Sequence, residues 1–293
     1  MQNSRERVKA AIQCQQLDRI PKGELCLDDT LIKQVLKCDH VGFEERVSFI
    51  NSLGLDLVCL SPDYPTCAGI PTASGITLPD LERWVLDTPL FTFALIDGSF
   101  GWGMRTLGYA DFLTLPRRSP LALQELIENV ERLNKDLIKR CIDQGVDGII
   151  LADDIAYQRG LLLNPNLLRN KFFPSLSRQV VAVKDQVPVF FHSDGDYAEV
   201  IPDLIKCGFR GLQCFERRAG MDPLKLKCQY PELCVWGTLE VEDLERAADP
   251  GYLEKVISEI AELSSRGGFI LGTTCGLFPG INLDGLTAIY ERF

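Results

Sequence analysis

The stretch Gly145-Val-Asp-Gly-Ile-Ile-Leu-Ala-Asp-Asp154 decides how the chain is read. Five apolar residues in a row, bounded by polar ones, suit a strand buried on both faces, as parallel strands are. Immediately before it, Pro120–Gln144 places Leu126, Val130, Leu133, Leu137 and Cys141 at spacings of three and four, an amphipathic helix. Working outward, the same alternation recurs. Strands are expected at Ile20–Cys26, Leu55–Leu60, Leu90–Ile96, Val146–Leu151, Val187–Phe191, Gly211–Phe215, Leu233–Gly237 and Phe269–Thr273. A second clear helix covers Tyr252–Arg266, and Asn164-Pro165 and Asp222-Pro223 read as helix caps with proline in the first turn. Eight strands separated by helices predict a single (β/α)8 TIM barrel spanning residues 1–293. Within Gly75–Trp102 the pattern predicts a hairpin insertion before the third strand. An open doubly wound sheet is rejected, because Gly98-Ser-Phe-Gly101-Trp-Gly103 has the wrong glycine spacing for a dinucleotide fingerprint.

Composition fits this reading. Of 293 residues, 46% are hydrophobic and 25% charged, which excludes disorder and coiled coil. Acidic residues outnumber basic ones 41 to 31, and a net charge of −10 without a basic stripe argues against nucleic acid. No apolar run of 18 residues exists and the first residues are charged, so a cytoplasmic protein without membrane spans is expected. The 11 cysteines form no CxxC pair and are expected to be mostly reduced packing residues. With two histidines, no site can contain three imidazoles.

In a barrel, chemistry collects where strands end and βα loops begin. There the chain carries Glu24, Asp28 and Asp29; Asp63; Asp153 and Asp154; His192, Asp194 and Asp196; Glu216; Glu240; and Cys275. His192-x-Asp194 projects two metal-capable groups the same way from one strand tip. Cys275, across the mouth, completes a His/Asp/Cys set suited to zinc, whereas a packing histidine and a packing thiol are the plain alternative. Asp153 and Asp154 are candidate catalytic residues, as a substrate clamp, as groups orienting His192, or as a helix cap. Glu216 is a candidate fourth ligand or general base, or a partner of Arg217 or Arg218. Arg105 and Trp102, in the glycine-rich Gly98–Gly108 segment, are candidates for holding an anionic group.

Several segments resemble the uroporphyrinogen decarboxylase superfamily. They are Arg5-Glu-Arg-Val-Lys-Ala-Ala-Ile with Leu17-Asp-Arg-Ile-Pro21, the Gly145–Asp154 stretch, Asn164-Pro165 with Phe172-Phe-Pro174, and Phe191-His-Ser-Asp-Gly195. Ile201–Gly208, Ala219-Gly-Met-Asp-Pro223 and Gly267–Gly272 continue the match along nearly the whole chain. The resemblance implies a barrel with its site in the mouth. Decarboxylases of the family carry paired arginines after the first strand; here Gly23-Glu-Leu-Cys-Leu-Asp-Asp-Thr30 is acidic. The other branch, zinc-dependent methyltransferases working with a corrinoid protein, carries His-x-Cys after strand five and Cys-Gly near strand eight. His192 and Cys275 match those ligand positions, and Asp194 stands where that branch has cysteine. The resemblance therefore implies a zinc enzyme moving a methyl group between a small methoxyl, methylamine or thiol substrate and a corrinoid (methylcobalamin) on a partner protein. The metal would sit on His192, Asp194 and Cys275, with Asp153, Asp154 and Glu216 as catalytic candidates, in a monomer or homodimer. A uroporphyrinogen decarboxylase-like lyase and a non-catalytic corrinoid-binding or small-ligand barrel are the alternatives.

Overall fold

The computed structural model describes residues 2–67 and 69–293. Seven strands form one parallel sheet: β1 (Leu57–Leu60), β2 (Phe91–Asp97), β3 (Gly148–Ala152), β6 (Val189–His192), β7 (Gly211–Gln213), β8 (Cys234–Trp236) and β9 (Phe269–Ile270), neighbours in that order. A short antiparallel hairpin, β4 (Ala156–Tyr157) with β5 (Gly160–Leu161), follows β3.

The eighth position belongs to residues 20–26, which pair on both sides without forming a regular strand. Gly23 N donates to Leu271 O at 2.9 Å, Leu271 N to Pro21 O at 2.9 Å, and Asp56 N to Lys22 O at 2.7 Å. Those bonds tie the segment to β9 on one side and to the start of β1 on the other, so the sheet closes into a barrel. Proline cannot donate to a ladder, which is one reason the segment is irregular. The buried Asp56 carboxylate fastens it, accepting from Lys22 N at 2.9 Å and from Arg7 and Arg19 at 2.6–2.8 Å.

Inside the barrel pack Leu25, Leu57, Phe91, Phe93, Ile150, Phe190, Cys234, Trp236 and Ile270. Phe93 stacks on Trp236 at 5.6 Å and meets Phe190 edge-on at 5.2 Å. Gly148 and Gly211 leave room for these rings; an added Cβ would come within 2.4 Å of Phe93 and 2.2 Å of Phe190. Each such buried aromatic contributes on the order of 2 kcal/mol. A second, larger core lies between the strands and the surrounding helices.

The two long helices form nearly where the periodicity places them, at Pro120–Asp143 and Pro250–Ser265, capped by Ser119 and Asp249. Asn164 and Asp222 cap the helices that follow them. The hairpin expected within Gly75–Trp102 does not form. Residues Leu81–Leu86 are helical, because Leu81 and Trp84 at i and i+3 share one buried face. Only the Asp63–Thr77 bridge is antiparallel there. The glycine-rich segment after β2 is also helical, Ser99–Leu107.

Pairing sets the depth of the mouth. Asp97, Ala152, His192, Gln213 and Trp236 are lateral partners across β2, β3, β6, β7 and β8. Phe93, Ile150, Phe190 and Cys234, two or four residues earlier on four of those strands, all point into the barrel. The alternation of strand side chains therefore turns the whole row inward.

Candidate active site

His192 ends β6 with its ring buried, and its surroundings fix its tautomer. Nδ1 makes a short contact with Gln213 Oε1 from the neighbouring strand. Gln213 Nε2 in turn faces two carbonyls, Thr273 O and Thr274 O, at 3.4 Å each. The amide nitrogen must face those acceptors, so the amide oxygen faces His192, and Nδ1 carries the proton. In the neutral ring Nε2 is then the nitrogen whose lone pair faces the mouth.

Two carboxylates face that lone pair. Asp154 Oδ1 lies 3.6 Å from Nε2 and Asp194 Oδ1 3.9 Å, and the ligand atoms of all three residues fall within 4.8 Å of one another. The carboxylates are held from behind. Asp194 N donates to Asp154 Oδ1 at 3.0 Å, and the Cys214 thiol donates to Asp194 Oδ1 at 3.3 Å. With the ring neutral, these three groups are all acceptors, and a shared cation would relieve their repulsion. A tetrahedral centre with bonds of about 2.1 Å sets its ligands about 3.4 Å apart, close to these spacings, whereas a direct imidazole–carboxylate hydrogen bond would be nearer ~2.8 Å. The donor set, one imidazole and two carboxylates, suits zinc or another borderline-to-hard divalent cation.

The sequence points to His192, Asp194 and Cys275 as the ligand set; the structure gathers Asp154 with His192 and Asp194 instead. Cys275 stands at the rim with its Sγ 3.5 Å from Gly276 O, outside the converging set. The loop geometry explains this. Bridges pair Lys22 with Leu271 and Leu27 with Leu277, so the segment after β9 carries one residue more than the segment it pairs with, and within it the Cys275 thiol turns to the carbonyl of Gly276.

Asp153 and Asp154 divide their roles. Asp153 is buried and accepts from Phe100 N at 2.8 Å and Gly101 N at 3.2 Å, capping the Ser99–Leu107 helix of the adjacent unit. The residue before that helix is Gly98, where an added Cβ would lie 2.2 Å from the Asp153 carboxylate. Burial pushes the Asp153 carboxyl up to about 8, opposed by the two backbone N–H donors and aided by the charges of Asp97 and Asp154. Its capping geometry directs it away from the mouth.

Glu216 pairs with neither Arg217 nor Arg218. Its Oε2 accepts from Gly195 N at 2.7 Å, holding the turn after Asp194. That turn needs glycine: Gly195 has φ +79°, and a Cβ would fall 2.5 Å from Tyr157 N. Arg217 instead joins Glu240, Asp243 and Glu259, and Arg218 joins Glu242.

Glu24 is fully buried behind the first strand, accepting from Thr273 N at 3.2 Å and, in short contacts, from the Thr273 and Tyr290 hydroxyls. Burial raises its carboxyl to about 7, partly offset by those hydrogen bonds. Gln213 is the functional residue that the sequence reading missed. It is the one polar side chain at an inward position of Gly211-Leu-Gln213, two residues after an inward glycine, and that alternation is the signal.

Fold and site together define a (β/α)8-barrel enzyme scaffold with an imidazole–carboxylate cluster at the C-terminal mouth. The chain belongs to the uroporphyrinogen decarboxylase (URO-D) family, whose profile matches residues 96–293. Among solved structures, a methyltransferase from Methanosarcina mazei superposes with TM-score 0.74 at 16% identity, covering 100% of this chain and 99% of that one. A B12-independent methionine synthase from Shewanella sp. W3-18-1, solved in complex with selenomethionine, gives TM-score 0.61 at 14% identity, covering 93% and 95%. A putative vitamin-B12 independent methionine synthase from Listeria monocytogenes gives 0.55 at 14%, covering 94% and 98%. These likenesses establish the barrel fold. No curated protein sequence matches significantly. Among the described residues, no helix is long and apolar enough to cross a membrane.

Proposed function

We propose that the protein is a zinc-dependent methyltransferase that moves a methyl group between a small substrate and a corrinoid carried by a partner protein. The observation that carries this reading is the convergence of Asp154, His192 Nε2 and Asp194 at the mouth of a URO-D barrel. His192, Asp154 and Asp194 would hold the ion, and Gln213 keeps the imidazole in the tautomer that ligation needs. Zinc supplies Lewis acidity to the heteroatom that carries the methyl group. Cys214 and the Gly195 turn, braced by Glu216, keep Asp194 in place.

A set with no thiolate donates less electron density than a sulfur-rich one and leaves the ion a stronger Lewis acid. That favours methoxyl and methylamine substrates, whose heteroatom must become a leaving group, over activation of a thiol nucleophile. A corrinoid partner would supply the cobalt that exchanges the methyl group, and the open C-terminal mouth carrying Asp154, His192 and Asp194 is the face it would have to reach.

The decarboxylase alternative needs cations for a polyanionic substrate. Here Asp28 and Asp29 follow the first strand, and Arg46, which lines the same part of the rim, is engaged by Asp29 at 2.5 Å.

The test is elemental analysis of freshly purified protein, followed by methyl transfer from methoxyl and methylamine donors to cob(I)alamin, watched by the loss of cob(I)alamin absorbance. About one zinc per chain with zinc-dependent transfer is expected. Full activity in metal-free protein overturns the reading, as would metal-independent release of carbon dioxide from a porphyrinogen. Stabilisation by cobalamin with no turnover of any donor would mark a binding barrel instead.

A further inference from the structure

Between the helices Pro223–Gln229 and Pro250–Ser265 lies a cavity of about 350 Å³ that the proposed chemistry does not use. Its apolar wall is Met221, Leu224, Leu239, Val256, Ile260 and Leu263. These residues belong to the core between strands and helices, not to the set that fills the barrel, so the cavity lies outside the barrel wall. Its volume falls at the lower end of the range that small-molecule sites occupy.

The charges lining it do not balance. They are one guanidinium, Arg217, and three carboxylates, Asp222, Asp243 and Glu259. Arg217 is fully committed: Nε donates to Glu240 Oε2 at 3.3 Å, Nη1 to Glu259 Oε2 at 2.9 Å, and Nη2, in a short contact, to Asp243 Oδ2. Asp243 is buried, and its other oxygen accepts from the Tyr252 hydroxyl at 2.9 Å.

Three acceptors in the lining are left over. Glu259 Oε1 has only the exposed Lys255 Nζ, at 3.7 Å. Asp222 Oδ1 caps Lys225 N at 2.9 Å, and among the described residues nothing donates to its second oxygen. Thr238 is 6% exposed, and its hydroxyl has no hydrogen-bond partner among the described residues. Hydroxyls buried to that extent are ordinarily bonded, so one left free on a cavity wall marks a place for a ligand atom.

An ammonium group brings three donors and no acceptor. It complements a lining whose spare groups accept and whose carboxylates outnumber its cation. The apolar wall takes a hydrocarbon or aromatic body behind that head. An anion would meet the carboxylates unscreened, and a molecule without donors would leave the Thr238 hydroxyl and the carboxylate oxygens unpaired.

We infer that this cavity is a second ligand-binding site, specific for small primary amines with an apolar body and separate from the barrel mouth. It does not rest on the metal cluster, so this inference and the proposed function fail independently.

Calorimetric titration of the full chain tests it, with 2-phenylethylamine, the isosteric 2-phenylethanol and the anion 3-phenylpropanoate as probes. The amine is expected to bind about tenfold more tightly than the alcohol, and the acid more weakly than either. Glu259→Gln keeps the shape, removes a charge and should shrink the amine's advantage. Thr238→Val, close in shape, should weaken the amine severalfold. Leu224→Trp fills the cavity and should abolish binding of amine and alcohol alike. Melting temperatures near that of the parent chain show which variants are folded; should Leu224→Trp fail to fold, the other two still decide. Equal affinity for amine and alcohol, no binding of the amine, or an affinity unchanged in both Glu259→Gln and Thr238→Val overturns the inference. So does loss of amine binding in Asp154→Asn with retention in Leu224→Trp, which would put the amine among the carboxylates of the mouth.

Discussion

Gln213 Oε1 accepts from His192 Nδ1, while the amide nitrogen of the same side chain points at Thr273 O and Thr274 O. One amide therefore connects three strand ends and determines which imidazole nitrogen is free. Replacing it with leucine removes the acceptor and the reason for the tautomer. Gln213→Leu is expected to weaken zinc binding about 10- to 100-fold with little change in fold, measured by competition with a chromogenic chelator. Unchanged zinc affinity would mean that the amide does not orient the ring.

The ligand set makes a sharper prediction, because sequence and structure differ on it. His192→Ala, Asp154→Asn and Asp194→Asn should each lose most bound metal and activity. Cys275→Ser should keep its metal, since the thiol lies outside the converging atoms. Elemental analysis of the four variants decides it; loss of zinc in Cys275→Ser together with retention in Asp154→Asn would restore the set read from the sequence.

That difference shows what sequence alone could reach. The barrel was legible because strands buried on both faces read as apolar runs such as Gly148–Ala152, with helices between them spaced in threes and fours. The first strand was legible in place but not in form, since Pro21 and Gly23 reduce it to bridges. Within the site, His192 and Asp194 were readable by simple alternation. Asp153 and Asp154 were not separable, because adjacent residues at a strand end diverge and only the fold shows that the first meets Phe100 N. Gln213 is marked only by its inward position after Gly211, and its meeting with His192 depends on cross-strand register; the place of Cys275 depends on the path of the segment after β9, which no local pattern reveals.

Asp153 should then be structural in its effects. Asp153→Ala removes the cap on Phe100 N and Gly101 N and is expected to cost ~1–2 kcal/mol of stability. Bound zinc should be little affected, because the neighbouring Asp154 keeps its bond from Asp194 N. Denaturant unfolding and metal content, measured on the same preparation, test both halves. Complete loss of zinc with unchanged stability would instead make Asp153 part of the metal centre.

Glu24 gives the pH dependence its sign. Its carboxyl is raised by burial from the ordinary value to about 7 in the folded chain, whereas in the unfolded chain it returns to about 4.5. Between those values the folded state holds a proton that the unfolded state has released, so this group's contribution is full below about pH 4.5 and is lost as pH rises through about 7. The groups packed on it are Thr273 and Tyr290, and the buried Lys22 ammonium, bonded to Tyr290 O at 2.6 Å, lies on the same face of the strand. Glu24→Gln cannot ionise and preserves most of the hydrogen bonding. Relative to the parent chain, its melting temperature should therefore gain with rising pH across the range from about 5 to 8. Parallel melting curves for the two proteins over that range would show that Glu24 is already ionised when folded, held by its three donors strongly enough to overcome burial.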